Sequence, residues 1–195
     1  GKVLQPLLGH HVTSVAFARA TNTLGLLLLP PVLYAAAPTA SFAKIAALTT
    51  LPPLWFFAFL YYTDIWSVLS VFAMFGCTRH YRHILASLCG AIALCFRQNN
   101  VVWVLFACGA AVLGVLERYV VRHKVPRSRA ILFLANPECL MRAVAVSLPY
   151  TIPLAGFGAF VKINGGVALG DHANHTFTLH LAQLGYFFAF TAVFG

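Results

Sequence analysis

Three short polar stretches interrupt an otherwise apolar chain, and they hold the residues whose types could do chemistry. The stretches are Tyr61-Tyr62-Thr63-Asp64, Arg97-Gln98-Asn99-Asn100 and Asp171-His172-Ala173-Asn174-His175. A guanidinium matches two phosphate oxygens and keeps its charge, so Arg97 is suited to binding a phosphate group. The chain has four acidic residues, and Asp64 and Asp171 are the two in these stretches. Carboxylate chemistry at these stretches would therefore use one of those two side chains.

Each of these residues also has a structural interpretation. Asp64 precedes an apolar run and could cap a helix. Arg97 could lie at a membrane interface with its head in water, or it could pair with Asp64. The spacing of His175 and His180 matches no metal-binding motif, which favours contacts with phosphate or sugar hydroxyls over a metal. No metal and no cofactor is predicted.

The composition predicts a membrane protein. Of the 195 residues, 61% are hydrophobic and 9% are charged, whereas soluble domains have about 45–50% apolar and about 25% charged residues. The long apolar runs lack the alternation of a barrel, so we expect an all-α, polytopic transmembrane helical bundle of about seven spans. The net charge of +9 comes from basic residues beside apolar runs, where membrane topology explains them and no nucleic-acid partner is needed.

Prolines and run lengths shape the predicted spans. The first run is expected to end at Pro30-Pro31, the second to be interrupted at Pro52-Pro53, and a later one to be broken at Pro149 and Pro153. Two short runs in the middle either extend into their flanks or form a tight hairpin. The apolar runs are residues 12–29, 45–62, 65–76, 84–95, 101–116, 139–161 and 184–195.

The distribution of basic residues predicts which face each loop occupies. We expect one transmembrane domain over residues 1–195, a fragment lacking both ends, with a basic cytoplasmic loop at 117–138. If that loop and the basic turn at 79–83 are cytoplasmic, simple alternation places the three polar stretches together on the opposite face. The sequence therefore predicts a shared polar site on that face.

Several runs resemble the endoplasmic-reticulum α-1,2-glucosyltransferase family that uses dolichyl phosphate glucose. The matching runs are residues 59–64, 96–103, 164–171, which continues to His175, 180–184 and 186–188. Their order and spacing match the family over nearly all of the chain. The resemblance implies a GT-C-like enzyme of the endoplasmic reticulum membrane with its active face in the lumen. Its donor would be dolichyl phosphate glucose, and its acceptor a diglucosylated, dolichyl-diphosphate-linked oligosaccharide of the N-glycosylation pathway. An inverting transfer would need a base for the acceptor hydroxyl and cations for the leaving phosphate.

The resemblance also implies roles for individual residues. The candidates for catalysis are Asp64 and Asp171, and the candidates for substrate binding are Arg97, Gln98, Asn99, His175 and His180. Asn99 departs from the family, which tends to carry Thr there. The acidic motif of the family precedes the matched region, so we expect the general base upstream and the fragment alone to be inactive. A membrane transporter or lipid flippase, or a transferase using dolichyl phosphate mannose, are the alternatives.

Overall fold

The computed structural model describes residues 15–59, 64–124, 136–166 and 181–194, and all regular structure in these ranges is helical. This confirms the all-α class. The helices are α1 (Val15–Ala36), α2 (Phe42–Thr49), α3 (Pro52–Phe59), α4 (Asp64–Arg79), α5 (His83–Phe96), a 3-10 turn (Gln98–Asn100), α6 (Val101–His123), α7 (Pro137–Asn164) and α8 (Leu181–Phe194).

Two segments in the described part of the chain are long and apolar enough to cross a membrane. They are Gln98–His123, which joins the 3-10 turn to α6, and Pro137–Asn164, which is α7. Their 18-residue windows have mean hydropathies of 1.9 and 1.6. The total of about seven spans remains a prediction.

Helix α1 corrects the expectation that the first run ends at Pro30-Pro31, because it continues to Ala36. The prolines lack the N–H groups that would bond the carbonyls four residues back, yet they do not force the helix to end. Leu29 before the prolines and Leu33 after them are both buried in one cluster with residues of α2 and α4. We infer that packing on both sides of the prolines keeps α1 continuous.

The second run is interrupted near Pro52-Pro53, as predicted. The break at Thr50 and Leu51 separates α2 from α3, and each has eight residues. An eight-residue helix is about 12 Å long, so neither crosses a membrane alone. The Thr50 hydroxyl donates to the Ala46 carbonyl at 2.8 Å, and Trp55 Nε1 donates to the Thr49 carbonyl at 3.0 Å, which satisfies carbonyls at the end of α2.

Helices α4 and α5 form a hairpin, one of the two arrangements that the sequence predicts. The connection is residues 80–82, where Tyr81 has a left-handed φ of 58°. With 16 and 14 residues, the helices are about 24 and 21 Å long, against a hydrocarbon core of about 30 Å. A Cβ on Gly90 would lie 3.1 Å from both Met74 of α4 and Val104 of α6, so glycine permits the close approach of all three helices.

Helix α6 is longer than the predicted run, which ends at Leu116. It continues through several basic residues to His123. The predicted loop at 117–138 therefore begins as helix, and its described end also enters a helix. There Asn136 Oδ1 accepts hydrogen bonds from the N–H groups of Glu138 at 2.9 Å and Cys139 at 3.4 Å, which caps α7. The cytoplasmic location of this loop remains a prediction.

The two prolines of α7 lie inside a continuous helix, so the predicted break there is wrong. Pro153 has no N–H, so the carbonyl of Pro149 loses its helical partner. The Ser87 hydroxyl of α5 donates to that carbonyl at 2.6 Å. A neighbouring helix thus satisfies the freed group, and α7 can remain helical.

Residues 161–195 form a second compact unit. It holds the last residues of α7, the turn that ends them and helix α8. Gly165 has φ of +73°, a conformation that favours glycine at a helix end. The adjacent Asn164 side chain donates to the Gly166 carbonyl at 3.0 Å.

Candidate functional site

The hairpin brings Asp64 and Arg97 into an ion pair. Asp64 lies in the first turn of α4 and Arg97 directly follows α5, so the antiparallel packing of these helices places both at one end. The pairing that the sequence left open is confirmed. The Asp64 side chain is 17% exposed and that of Arg97 is 44% exposed, so the pair is open on the arginine side.

The backbone at Arg97 leaves the helix at a sharp corner. Its φ of −148° and ψ of 125° are extended, yet its N–H still donates to the Ala93 carbonyl at 3.0 Å. Its own carbonyl accepts from the Asn100 N–H at 3.1 Å, which closes the 3-10 turn before α6. Arg97 is thus held by backbone bonds on both sides while its side chain remains partly exposed.

The Asn100 side chain hydrogen-bonds this corner to both helices of the hairpin. Its side chain is buried, and Nδ2 donates both to the Ser67 hydroxyl of α4 at 2.8 Å and to the Ala93 carbonyl of α5 at 2.7 Å. One amide therefore joins the start of α6 to both helices that carry the ion pair. The sequence placed Asn100 in a polar stretch without a role, although an amide beside an apolar run was a signal for such a contact.

The remaining candidates in this stretch occupy different positions. Gln98 is partly buried in the 3-10 turn, whereas Asn99 is exposed beside it. Both follow Arg97 within two residues of the chain. Their roles in substrate binding remain predictions.

The third polar stretch lies outside the described residues. This applies to Asp171, His175 and His180, and also to Tyr61, Tyr62 and Thr63. The structure therefore brings together residues from two of the three predicted stretches, and the convergence of the third remains a prediction. Within the described ranges, no three His, Cys, Asp or Glu residues are grouped as metal ligands.

The geometry of the Arg97 corner is compatible with anion binding. A guanidinium that is close to half exposed can present donors to a phosphate while Asp64 orients it. The catalytic role of Asp64 remains a prediction.

A family comparison agrees with the sequence motifs. The model of the DIE2/ALG10 family matches residues 2–195. The chain belongs to the DIE2/ALG10 family. This confirms the resemblance that the motifs indicated.

Three relatives share the name Dol-P-Glc:Glc(2)Man(9)GlcNAc(2)-PP-Dol alpha-1,2-glucosyltransferase. The relative from Drosophila melanogaster is 34% identical over 80% of this chain and 38% of its own length. The one from Mycosarcoma maydis is 36% identical over 74% of this chain and 26% of its own length. A Homo sapiens relative is 34% identical over 75% of this chain and 35% of its own length. The chain thus spans less than two fifths of the length of these relatives, and no solved structure matches it.

Proposed function

We propose that the whole protein transfers glucose from dolichyl phosphate glucose to the diglucosylated dolichyl-diphosphate-linked oligosaccharide. The product would carry a terminal α-1,2-linked glucose on the N-glycan precursor. The relatives that share this chain's family bear the name of that activity. One structural observation supports the proposal: Arg97, which lies in the run 96–103 that resembles the family, is partly exposed and pairs with Asp64.

In this proposal Arg97 binds the phosphate of the donor. The acceptor hydroxyl attacks the anomeric carbon, a base removes its proton, and the bond from that carbon to the phosphate oxygen breaks. Dolichyl phosphate leaves with the electron pair and gains negative charge, which a guanidinium stabilises. Asp64 holds the guanidinium in position, and Gln98 and Asn99 contact the donor phosphate or sugar.

The third polar stretch would complete the site. Asp171, as a catalytic candidate, and His175 and His180, as binders of substrate, would act on the same face as Arg97. The general base is proposed to lie outside this chain, which by itself would be inactive. No metal or cofactor is required in this scheme.

The cellular setting follows from the lipid-linked substrates. We propose a multi-pass, GT-C-like protein of about seven spans in this region, residing in the endoplasmic reticulum membrane with the Arg97 end in the lumen. The basic segment at 117–138 would then be cytoplasmic. The apolar α6 and α7, each long enough for a crossing, support the location in a membrane.

The test is a transfer assay with purified whole protein and defined donors. With the diglucosylated lipid acceptor, dolichyl phosphate glucose should yield a triglucosylated product whose new linkage is cut by an α-glucosidase. Dolichyl phosphate mannose is the control donor, and we expect it to give no product. Transfer of mannose would reassign the sugar, and lipid translocation without transfer to the acceptor would favour a flippase.

A further inference from the structure

A cluster of guanidinium groups lies at the end of α6 that is distant from Arg97. A cavity of about 400 Å³ there is lined by residues of α6 and α7. Three of its lining residues are arginines, namely Arg118, Arg122 and Arg142. The proposed glucosyl transfer uses none of them.

The position of this cavity corresponds to a membrane interface. Arg118 follows Val101, the first residue of α6, by seventeen residues, which is about 26 Å along a helix. The hydrocarbon core of a bilayer is about 30 Å thick. If Arg97 lies at one interface, these arginines therefore lie at the opposite one.

Arg118 is held in place before any ligand binds. Its Nε donates to the Gly114 carbonyl at 3.1 Å, and its guanidinium carbon lies 4.2 Å from the centre of the Tyr81 ring. Tyr81 has a left-handed φ of 58° in the turn between α4 and α5. A guanidinium fixed on an aromatic face loses less entropy on binding an anion than a freely moving side chain does.

The charges around the cavity favour an anion. Arg142 pairs with Glu138 at 2.9 Å, in an exposed contact one turn apart on α7. Three guanidinium groups thus line the cavity, and the Glu138 carboxylate balances one of them. The remaining charge suits a phosphate group, which arginine binds with two parallel hydrogen bonds.

Apolar surface adjoins these charges. Val115, Ala145 and Val146 line the same cavity. A soluble phosphate would use the arginines alone, whereas a lipid would use both surfaces. We propose that this cavity binds the phosphate headgroup of an anionic phospholipid, whose acyl chains contact the apolar residues of the lining. This inference rests on the membrane placement proposed for Arg97, but not on the glucosyl transfer.

The test counts lipids retained by the whole protein. The protein is reconstituted in nanodiscs containing equal amounts of phosphatidylserine and phosphatidylcholine, and co-purifying lipid is measured by native mass spectrometry. The test variant is R122Q/R142Q, which keeps the packed Arg118. The matched control is K44Q/R79Q, which removes two exposed positive charges that do not line this cavity. Thermal unfolding in detergent establishes that both variants are folded.

We expect wild type and K44Q/R79Q to retain phosphatidylserine at least about fivefold over phosphatidylcholine, and R122Q/R142Q to retain it less than about twofold. Equal losses in the two variants would reduce the effect to general surface charge and overturn the proposal. A wild type without headgroup preference would do the same. Displacement of the bound lipid by 10 mM inorganic phosphate would overturn the assignment to a lipid, and resistance to phosphate would support it.

Discussion

The two ends of the α4–α5 hairpin both carry polar side chains, but they use them differently. At the Arg97 end, defined by Asp64, Arg97 and Asn100, a charged pair is partly exposed above one buried amide. At the Tyr150 end, defined by Thr78, His83, Ser87 and Tyr150, the contacts involve no carboxylate and link the hairpin to α7.

The bonds of the Tyr150 end hold helices together. The fully buried Tyr150 hydroxyl lies 2.7 Å from the Thr78 hydroxyl and 3.3 Å from His83 Nδ1. Ser87 donates to the Pro149 carbonyl at 2.6 Å. These groups belong to α4, α5 and α7, so the contacts join all three helices. We therefore assign this end to packing.

The exposed ion pair at one end and the buried hydrogen bonds at the other indicate different roles for the polar groups of this hairpin. A charge that is close to half exposed adds little to stability, because water and ions screen it. Buried hydrogen bonds add more, since breaking one leaves a polar group without a partner. We expect changes at the Arg97 ion pair to affect activity and changes at the Tyr150 end to affect stability.

The largest expected effect is that of Arg97→Ala. If Arg97 holds the donor phosphate, Arg97→Ala should remove about 2–4 kcal/mol of transition-state binding. This loss would lower kcat/KM for glucose transfer by about 30-fold to 1000-fold. The unfolding free energy should change by less than about 1 kcal/mol, as for an exposed ion pair. Steady-state kinetics and thermal unfolding of the whole protein measure both. Arg79→Ala, an exposed arginine at the other end of α4, is the control and should retain activity.

Asn100→Ala should affect both properties, because Asn100 is buried and also positions the Arg97 corner. Loss of its two hydrogen bonds should cost about 1–3 kcal/mol of stability and reduce transfer about tenfold. The neighbouring Asn99→Ala is the comparison, since Asn99 is exposed and its loss should leave stability within about 0.5 kcal/mol. Equal unfolding temperatures for the two variants would contradict the role assigned to Asn100.

Ser87→Ala tests whether the hydrogen bond from Ser87 to the Pro149 carbonyl stabilises the Tyr150 end. The Pro149 carbonyl would lose its donor, which should cost about 1–3 kcal/mol of stability with little change in donor KM. Ser147→Ala makes the same chemical change on α7, where the hydroxyl donates to the Val144 carbonyl of its own helix at 2.9 Å. That control should change stability by less than about 0.5 kcal/mol. A larger effect in the control would argue against the proline explanation.

The smallest effect is expected for Tyr150→Phe. It removes one hydroxyl from the contacts with Thr78 and His83 but keeps the ring, so about 1 kcal/mol should be lost. Tyr34→Phe removes a hydroxyl from a residue that is 58% exposed and should have no measurable effect. A large loss of transfer in Tyr150→Phe with unchanged stability would reverse the assignment of the two ends.

The sequence was sufficient for the helical class, for the family and for placing two polar stretches on one face. Long apolar runs and the alternation of basic loops placed Asp64 and Arg97 on one face, and the structure pairs them. These features depend on composition and connectivity, which are visible in one chain.

Other features depend on contacts between helices and were not visible. Pro30-Pro31 read as the end of a helix because their missing N–H groups are apparent, whereas the packing that sustains α1 is not. Asn100 had no assigned role because its partners lie on two other helices. Prolines and buried amides thus need tertiary structure for their interpretation.

Inhibition by dolichyl phosphate tests whether Arg97 binds the donor through its phosphate. Dolichyl phosphate carries the phosphate and the lipid but no glucose. Its inhibition constant should rise by about 30-fold to 1000-fold in Arg97→Ala, which corresponds to about 2–4 kcal/mol. It should not change in Arg79→Ala. An unchanged inhibition constant in Arg97→Ala would contradict phosphate binding by Arg97.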